Sequence, residues 1–271
     1  DPRVFAMRQY TEGHVLTFGE TDAADIRLLS TEIVTEQGTN GKIPRGLRVR
    51  LQVLQRIEEF FIPDVFGRSI AYALAAAVAT AVALDLPPEE YQSFAQHFKG
   101  MPGRVRIIPG IKHTTLFDDT YNASPSAVIA ALRDLGSLAL DPGQRRVACL
   151  GEMRELGPDA ENMHRRMGVE AAKQRVDLFV ACGTLAHAMA EGARANGLTD
   201  AQIQVFEDAP EAGRFIQKWI KTGDVILAKA SEGRLNPRGV RMERVIKELM
   251  ADPTKAAELL TRQDPSWKKY S

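Results

Sequence analysis

The stretch Leu116-Phe117-Asp118-Asp119-Thr120-Tyr121-Asn122-Ala123-Ser124-Pro125-Ser126 decides the fold of this chain. A largely apolar run at 114–117 leads into it and is typical of the end of a buried parallel strand. Ser124 supplies an N-cap oxygen and Pro125 suits the first position of a helix. Apolar residues then recur at helical spacing from 128 to 140. The stretch therefore predicts a strand, a turn and a helix.

Asp118, Asp119 and Asn122 are predicted to lie on the turn between that strand and that helix. Ligands of open α/β sheets bind in the crevice at the carboxyl ends of the strands, so these side chains are candidates for a binding site. On spacing alone, carboxylates that only polarise the turn are an equally good interpretation.

Further strands and helices alternate downstream of this stretch. Strands are predicted at 146–150, 177–182, 203–206 and 224–228, and the helices that follow them at 160–174, 185–196, 210–220 and 240–250. With the strand at 114–117, this alternation predicts an α/β fold with a Rossmann-like, doubly wound, mostly parallel sheet of about five strands. No G-x-G-x-x-G motif opens any of the turns, so a nicotinamide cofactor is not expected.

The first hundred residues have a different pattern. Residues 26–62 predict strands with a turn at 38–41 and an antiparallel hairpin formed by 47–53 and 57–62, and helices are predicted at 67–84 and 88–98. A glycine- and proline-rich break at 99–103 separates this mixed α/β region from the second half. We therefore expect two domains, residues 1–110 and residues 111–271.

Composition excludes some functions. The 271 residues include 35 basic and 35 acidic side chains, so no overall charge favours nucleic acid or a membrane surface. Cys149 and Cys182 lie in apolar runs and are predicted to be buried thiols of a protein in a reducing, cytoplasmic environment. The histidines share no metal-ligand spacing, so no metal site is expected in this chain. Because the chain begins with Asp1 and not Met, we expect a piece of a longer protein.

Several motifs recur in a fixed order along the chain. They are Gly103-Arg104, the stretch 118–125, the stretch 150–157 with His164, and the stretch 226–234 with Met242-Glu243. In this order the chain resembles the Mur ligases of peptidoglycan synthesis, and among them the MurF-type branch. The resemblance is dense from about 101 to 249 and looser before that.

The resemblance implies a Rossmann-like C-terminal domain preceded by the last part of a P-loop ATPase domain. It implies ATP and Mg²⁺ as cofactors, and an acyl phosphate that links UDP-MurNAc-tripeptide to D-Ala-D-Ala in a monomeric enzyme. The sequence contains no G-x-x-x-x-G-K-[ST] loop. The family's magnesium ligands would lie upstream of Asp1, so we expect this chain alone to be inactive.

The resemblance also assigns roles to single residues. It implies a catalytic role for Lys229; ATP binding by Arg104, Asp118 and Asp119; and acceptor binding by Tyr121, Asn122, Ser231 and Arg234. Without the motifs, Arg104 is a solvated linker charge and Lys229 a surface lysine at a strand end. Glu152 and Glu155 are either acceptor contacts or exposed carboxylates. Replacing Lys229 or Asp119 is expected to lower turnover without unfolding the enzyme.

One stretch departs from the family pattern. The family's Gly-x-His-Asn-x-x-Asn, whose asparagines contact adenine, is here Gly67-Arg68-Ser69-Ile70-Ala71-Tyr72-Ala73. Adenine contacts are thus lost, or are made by Arg68 or Tyr72. Two alternatives stay open: a non-catalytic nucleotide- or peptide-binding module, and a sister Mur or polyglutamate ligase.

Overall fold

The computed structural model describes residues 1–232 and 240–270, which form two compact units. The first unit consists of residues 1–32, 48–62 and 68–98; the second consists of residues 33–47, 63–67 and the chain from Lys99 onward. The domain boundary predicted at residue 110 stays a prediction.

The first unit contains most of a four-stranded sheet and three helices. The sheet order is β1-β2-β3-β4. Its strands are β1 Phe18–Gly19, β2 Ile26–Gly38, β3 Gly41–Val53 and β4 Arg56–Pro63, and the helices are α1 Pro2–Ala6, α2 Arg68–Ala83 and α3 Pro88–His97. The predicted turn at 38–41 is confirmed, and so is the pairing of the strands that contain 47–53 and 57–62, which are neighbours in the sheet. Val49, Leu51 and Val53 are buried and alternate with partly or fully exposed polar residues, as expected for a strand with one buried face.

The second unit is built around a six-stranded sheet with the order β5-β6-β10-β7-β8-β9. Its strands are β5 Arg106–Pro109, β6 Thr115–Asp119, β7 Arg146–Leu150, β8 Leu178–Cys182, β9 Ile203–Phe206 and β10 Val225–Lys229. Strands β6 to β10 are parallel, which confirms the predicted doubly wound sheet. The sequence missed β5, which pairs antiparallel with β6. A four-residue strand bounded by proline and glycine has too little pattern of its own to predict it.

Helices cover both faces of this sheet. They are α4 Pro125–Ser137, α5 Ala160–Lys173, α6 Ala186–Ala195, α7 Ala209–Trp219, α8 Glu243–Leu249 and α9 Ala256–Leu259. Successive strand residues point to opposite faces, so Phe117 packs with α4, α5 and α6 while Leu116 packs with α7 and α8. Cys149 and Cys182 are both free and fully buried, as predicted.

Helices α5 and α6 pack unusually closely because each has a glycine at the crossing. A Cβ atom on Gly168 would lie 1.8 Å from the carbonyl oxygen of Met189, and one on Gly192 would lie 1.9 Å from that of Arg165. Both obstacles are backbone atoms, which a change of rotamer cannot move. The two helices therefore reach this distance only with hydrogen in place of a side chain.

The tip of the β2–β3 hairpin, residues 33–47, belongs to the second unit. Gln144 holds it there: its Oε1 accepts from the amide of Lys42 at 3.0 Å, and its Nε2 donates to the Lys42 carbonyl at 2.9 Å and to the Gly223 carbonyl at 2.7 Å. Nearby in the same unit, the ring of Phe66 stacks on that of Phe117 with centroids 4.2 Å apart. In the part of the chain that the structure describes, no helix is long and apolar enough to cross a membrane.

Candidate functional site

Lys229 and Asp119 pair at the carboxyl ends of two neighbouring strands. They are the last residues of β10 and β6 and stand opposite each other in the parallel register. The Lys229 ammonium donates to Oδ2 of Asp119 and, at 3.0 Å, to the carbonyl of Asn122. The lysine side chain is 2% exposed and that of the aspartate 12%. The surface-lysine interpretation of Lys229 is therefore wrong.

The predicted turn begins later than expected. Asp118 and Asp119 belong to β6 and not to the turn, because their pairing with β10 continues to its last residue. Ser124 caps α4 by accepting from the amide of Ala127, and Pro125 is the first residue of that helix. The predicted helix start is confirmed.

Asp118 is fully buried and both of its oxygens are bonded inside the protein. One accepts from the Thr120 hydroxyl at 2.6 Å and the other from the Gly103 amide at 3.1 Å. Burial raises the pKa of this carboxyl to about 6, with the negative charge of Asp119 adding to the effect and the two hydrogen bonds opposing it. Asp118 thus fastens the segment that contains Arg104 to the end of β6. Its predicted contact with ATP stays a prediction.

The raised pKa of Asp118 has a measurable consequence. Since the folded protein holds this proton more tightly than the unfolded chain, the carboxyl stabilises the fold most at low pH, and this contribution is lost as the pH rises through about 6. Asn can accept from Gly103 and donate to Thr120. We therefore expect the wild type to gain roughly 2–3 kcal/mol over Asp118→Asn between pH 7 and pH 4. Urea unfolding of both proteins between pH 4 and pH 7 measures the difference in their free energies of unfolding. A difference that does not change with pH would contradict the prediction.

Gly103 lets two loops approach each other beside this carboxylate. It has φ +71°, and a Cβ atom there would lie 3.0 Å from the amide nitrogen of Tyr121. The Tyr121 amide donates to the Gly103 carbonyl at 2.9 Å. Glycine is needed both for the left-handed backbone and for the close contact.

Arg104 and Tyr121 form the exposed part of the site. The Arg104 guanidinium lies 4.0 Å from the centre of the Tyr121 ring, and both side chains are exposed to solvent. A guanidinium over an aromatic ring keeps its planar donors free at the edge, where they can bind a phosphate or carboxylate. Of the predicted ATP-binding residues, Arg104 is the one whose side chain faces solvent.

Ser231 links the loops that follow three strands. Its hydroxyl donates to the Ala123 carbonyl at 2.9 Å and accepts from the Arg154 amide at 3.2 Å. Its own amide donates to the Glu152 carbonyl at 2.8 Å. With 5% exposure, this serine holds loops together in the structure. The acceptor contact predicted for Ser231 is still a prediction.

Glu152 extends these links to a fourth loop. Its Oε1 accepts from both the amide and the hydroxyl of Thr184, each at 2.5 Å. Glu155 is exposed and has φ +62°. No motif in the sequence predicts this role of Thr184, because a single threonine after a glycine is not a recognisable pattern. Arg234, predicted to bind the acceptor, and its neighbour Gly233 lie outside the described residues.

His164 is fully buried and anchors the loop after β7. Its Nε2 accepts from the Met153 amide at 2.9 Å, so Nδ1 carries the proton and donates to the Ala160 carbonyl at 2.6 Å. Burial lowers the pKa of this imidazole, while its bond to the Ala160 carbonyl and the charge of Glu152 oppose the shift.

We expect His164 to make the fold sensitive to acid. A lowered pKa in the folded state means that the contribution of His164 to stability is present above the unfolded pKa of about 6.5 and is lost as the pH falls below it. His164→Leu leaves the Met153 amide unpaired and should cost about 1–3 kcal/mol at pH 8. The difference in the free energy of unfolding between the wild type and His164→Leu, measured by chemical unfolding, should become smaller towards pH 5. A gap that widens there would exclude this role.

Residues 67–73, which differ from the family pattern, bring the side chains of Arg68 and Tyr72 together in the first unit. Arg68 donates from Nε to Glu20 at 3.0 Å, and the Tyr72 hydroxyl donates to the same carboxylate. The bond from Arg68 lowers the pKa of Glu20 most, followed by that from Tyr72. Contact of either side chain with adenine stays a prediction. Among the described residues, no three His, Cys, Asp or Glu side chains are grouped so as to hold a metal ion.

Comparison with known proteins agrees with this geometry. The family described as "Mur ligase, glutamate ligase domain" matches residues 103–232, which include every described residue of the site at the strand ends. This part of the chain is similar to the Mur ligases. The predicted family resemblance is therefore confirmed.

Individual relatives of this chain are longer proteins. A UDP-N-acetylmuramoyl-tripeptide–D-alanyl-D-alanine ligase of Bacillus subtilis is 27% identical over 194 residues, which is 72% of this chain and 40% of the relative. The crystal structure of MurF from Acinetobacter baumannii has a TM-score of 0.72 at 24% identity and covers 93% of this chain and 50% of that one. MurF from Thermotoga maritima in complex with ADP has a TM-score of 0.69 at 20% identity and covers 92% and 51%. The chain thus spans about half the length or less of these relatives.

Proposed function

We propose that this chain is part of an ATP-dependent amide ligase of the MurF type, which joins D-Ala-D-Ala to UDP-MurNAc-tripeptide in the cytoplasm. One observation carries the proposal: the Lys229–Asp119 pair lies at the strand ends, next to the exposed Arg104–Tyr121 pair. These residues come from motifs far apart in the sequence. The names of the curated relatives supply the reaction.

The proposed roles follow from burial. Arg104 is exposed and offers its planar fork of donors to the phosphates of the nucleotide. Lys229 is the proposed catalytic cation; its ammonium holds Asp119 and the carbonyl of Asn122 and keeps positive charge at the strand end. ATP supplies the phosphoryl group that activates the carboxylate. Mg²⁺, the monomeric state and the absence of membrane insertion and of nucleic-acid binding belong to the same proposal.

Tyr121 and Asn122 are proposed to face the acceptor dipeptide. Both are exposed, and the Lys229–Asn122 bond fixes the backbone between them and α4. The Asn122 side chain accepts from the Ala123 amide at 2.8 Å, so one of its polar atoms is already engaged. Tyr121 therefore offers the larger free surface.

Phosphate release by the complete gene product tests this function. With ATP and UDP-MurNAc-tripeptide present, we expect release that depends on D-Ala-D-Ala and that falls strongly in Arg104→Met. Release that depends on a single amino acid instead would identify a sister Mur or polyglutamate ligase. Nucleotide binding without any release would identify a binding module. Either result would overturn the proposal.

A further inference from the structure

The end of the chain crosses back to the candidate site. Residues 251–267, here called the C-terminal strap, begin with Ala251, whose amide donates to the carbonyl of Pro109 at 3.0 Å. Further along, Arg106 donates to the Leu259 carbonyl at 3.5 Å. The strap lies outside the residues that match the family, 103–232, yet it runs beside β5 and reaches the end of β6.

Arg262 of the strap makes the contacts nearest to the site. Its guanidinium donates to the carbonyl of Thr120 at 3.1 Å and to that of Tyr121. It also pairs with Glu243 at 3.2 Å, with both side chains almost fully buried. Its carbon Cζ lies 5.4 Å from the centre of the Tyr121 ring.

These bonds hold the residues that follow Asp119. Thr120 and Tyr121 lead from β6 into the turn, and their carbonyls point to a guanidinium whose position is fixed by a buried carboxylate. The Tyr121 ring therefore contacts two guanidinium groups, Arg104 from the site and Arg262 from the strap.

The backbone of Arg262 supports a specific role. Its φ is +58°, a left-handed conformation that costs a non-glycine residue free energy and persists where surrounding contacts enforce it. The bonds of its own side chain to Thr120, Tyr121 and Glu243 are such contacts. The strap is thus bent where it meets the site.

We propose that Arg262 is a positioning residue, which fixes Tyr121 and through it the Arg104 guanidinium for nucleotide binding. The kinetic part of this inference rests on the proposed ligase function; the structural part does not. A planar guanidinium can bond two carbonyls and a carboxylate together, whereas a lysine ammonium in its place keeps the charge next to Glu243 but not that geometry.

Arg241 provides a matched control. Its side chain is almost as buried as that of Arg262, and its Nε lies 3.9 Å from Oε1 of the same Glu243. Its guanidinium donates to the carbonyl of Trp267 at 3.4 Å and not to the turn. Arg241→Met should therefore disturb the charge of Glu243 without releasing Thr120 or Tyr121. Arg262→Lys and Arg262→Met are the test variants.

Hydrogen exchange of the 271-residue chain tests the structural part. The Tyr121 amide should exchange at least about 10-fold faster in Arg262→Lys than in the wild type, and within about 3-fold of the wild type in Arg241→Met. Equal acceleration in the two variants would overturn the inference, since it would report a general loss of stability. If Arg262→Met does not fold, the exchange rates of the Tyr121 amide in Arg262→Lys and Arg241→Met still test the inference.

Steady-state kinetics of the complete gene product test the role of Arg262 in nucleotide binding. Arg262→Lys should raise KM for ATP about 10-fold with kcat within 2-fold of the wild type, while Arg241→Met should change neither by more than about 2-fold. A fall in kcat with unchanged KM would overturn the nucleotide-positioning role. A wild type that releases no phosphate would overturn the ligase function instead, and the exchange ratio would still decide whether Arg262 holds the turn.

Discussion

Gly168→Ala is expected to destabilise the protein by at least about 3 kcal/mol, or to prevent it from folding. The added methyl group would lie 1.8 Å from the Met189 carbonyl oxygen and 2.7 Å from the Ala193 amide. Helices α5 and α6 would have to separate, which would open gaps along the buried face that both cover. Urea unfolding followed by circular dichroism measures the loss.

Gly213→Ala is the matched control for this prediction. Gly213 is also a helical glycine, but its Cβ would lie 3.0 Å from Cβ and Cγ of Glu248 and 3.3 Å from Cα of Val245, well outside the 1.8 Å found at Gly168. These neighbours need to give by only a few tenths of an ångström, and alanine is the better helix former by about 1 kcal/mol, so we expect a change in stability within about 1 kcal/mol. Equal losses for the two variants would show that helix propensity, and not the close crossing, explains the effect.

Lys229→Met is expected to cost about 3–5 kcal/mol, because it leaves the Asp119 carboxylate buried without its partner. This revises the expectation that replacing Lys229 lowers turnover without unfolding. The pair is almost fully buried, and Lys229 also bonds the carbonyl of Asn122. In the complete gene product we expect loss of turnover as well, so stability must be measured beside activity.

Two further variants separate charge from packing. Lys229→Met combined with Asp119→Leu removes both charges and should recover part of the lost stability, because no unpaired ion is left. Arg165→Met removes an exposed cation that pairs with Glu161 and Glu191 on the surface, where solvent screens both pairs, and should change the stability very little. A Lys229→Met loss no larger than that of Arg165→Met would contradict the buried pair.

Local patterns predicted most of the second unit. The strand at 146–150 and that at 203–206 have the predicted bounds, because apolar runs that end at glycine or a charged residue are an unambiguous signal. The cap at Ser124 followed from local chemistry alone. These elements are specified by residues that are neighbours in the chain.

The arrangement of the site depended on contacts between distant residues. The motifs identified Lys229 and Asp119, but their spacing could not show that they bond each other, because β10 enters the sheet between β6 and β7. Likewise, Arg262 lies 141 residues from Tyr121 and belongs to no motif. Burial of Asp118 and Ser231 is also set by loops that fold over them from elsewhere.

The two units cannot be separated by a single cut. A protein that began at Lys99 would lack the hairpin tip that Gln144 binds and the Phe66 ring that stacks on Phe117, although both belong to the same unit. Such a truncated protein would expose the side chain of Gln144 and one face of Phe117. Domain dissection of this chain should therefore retain residues 33–67, and limited proteolysis within 99–103 should leave the hairpin bound to the larger product.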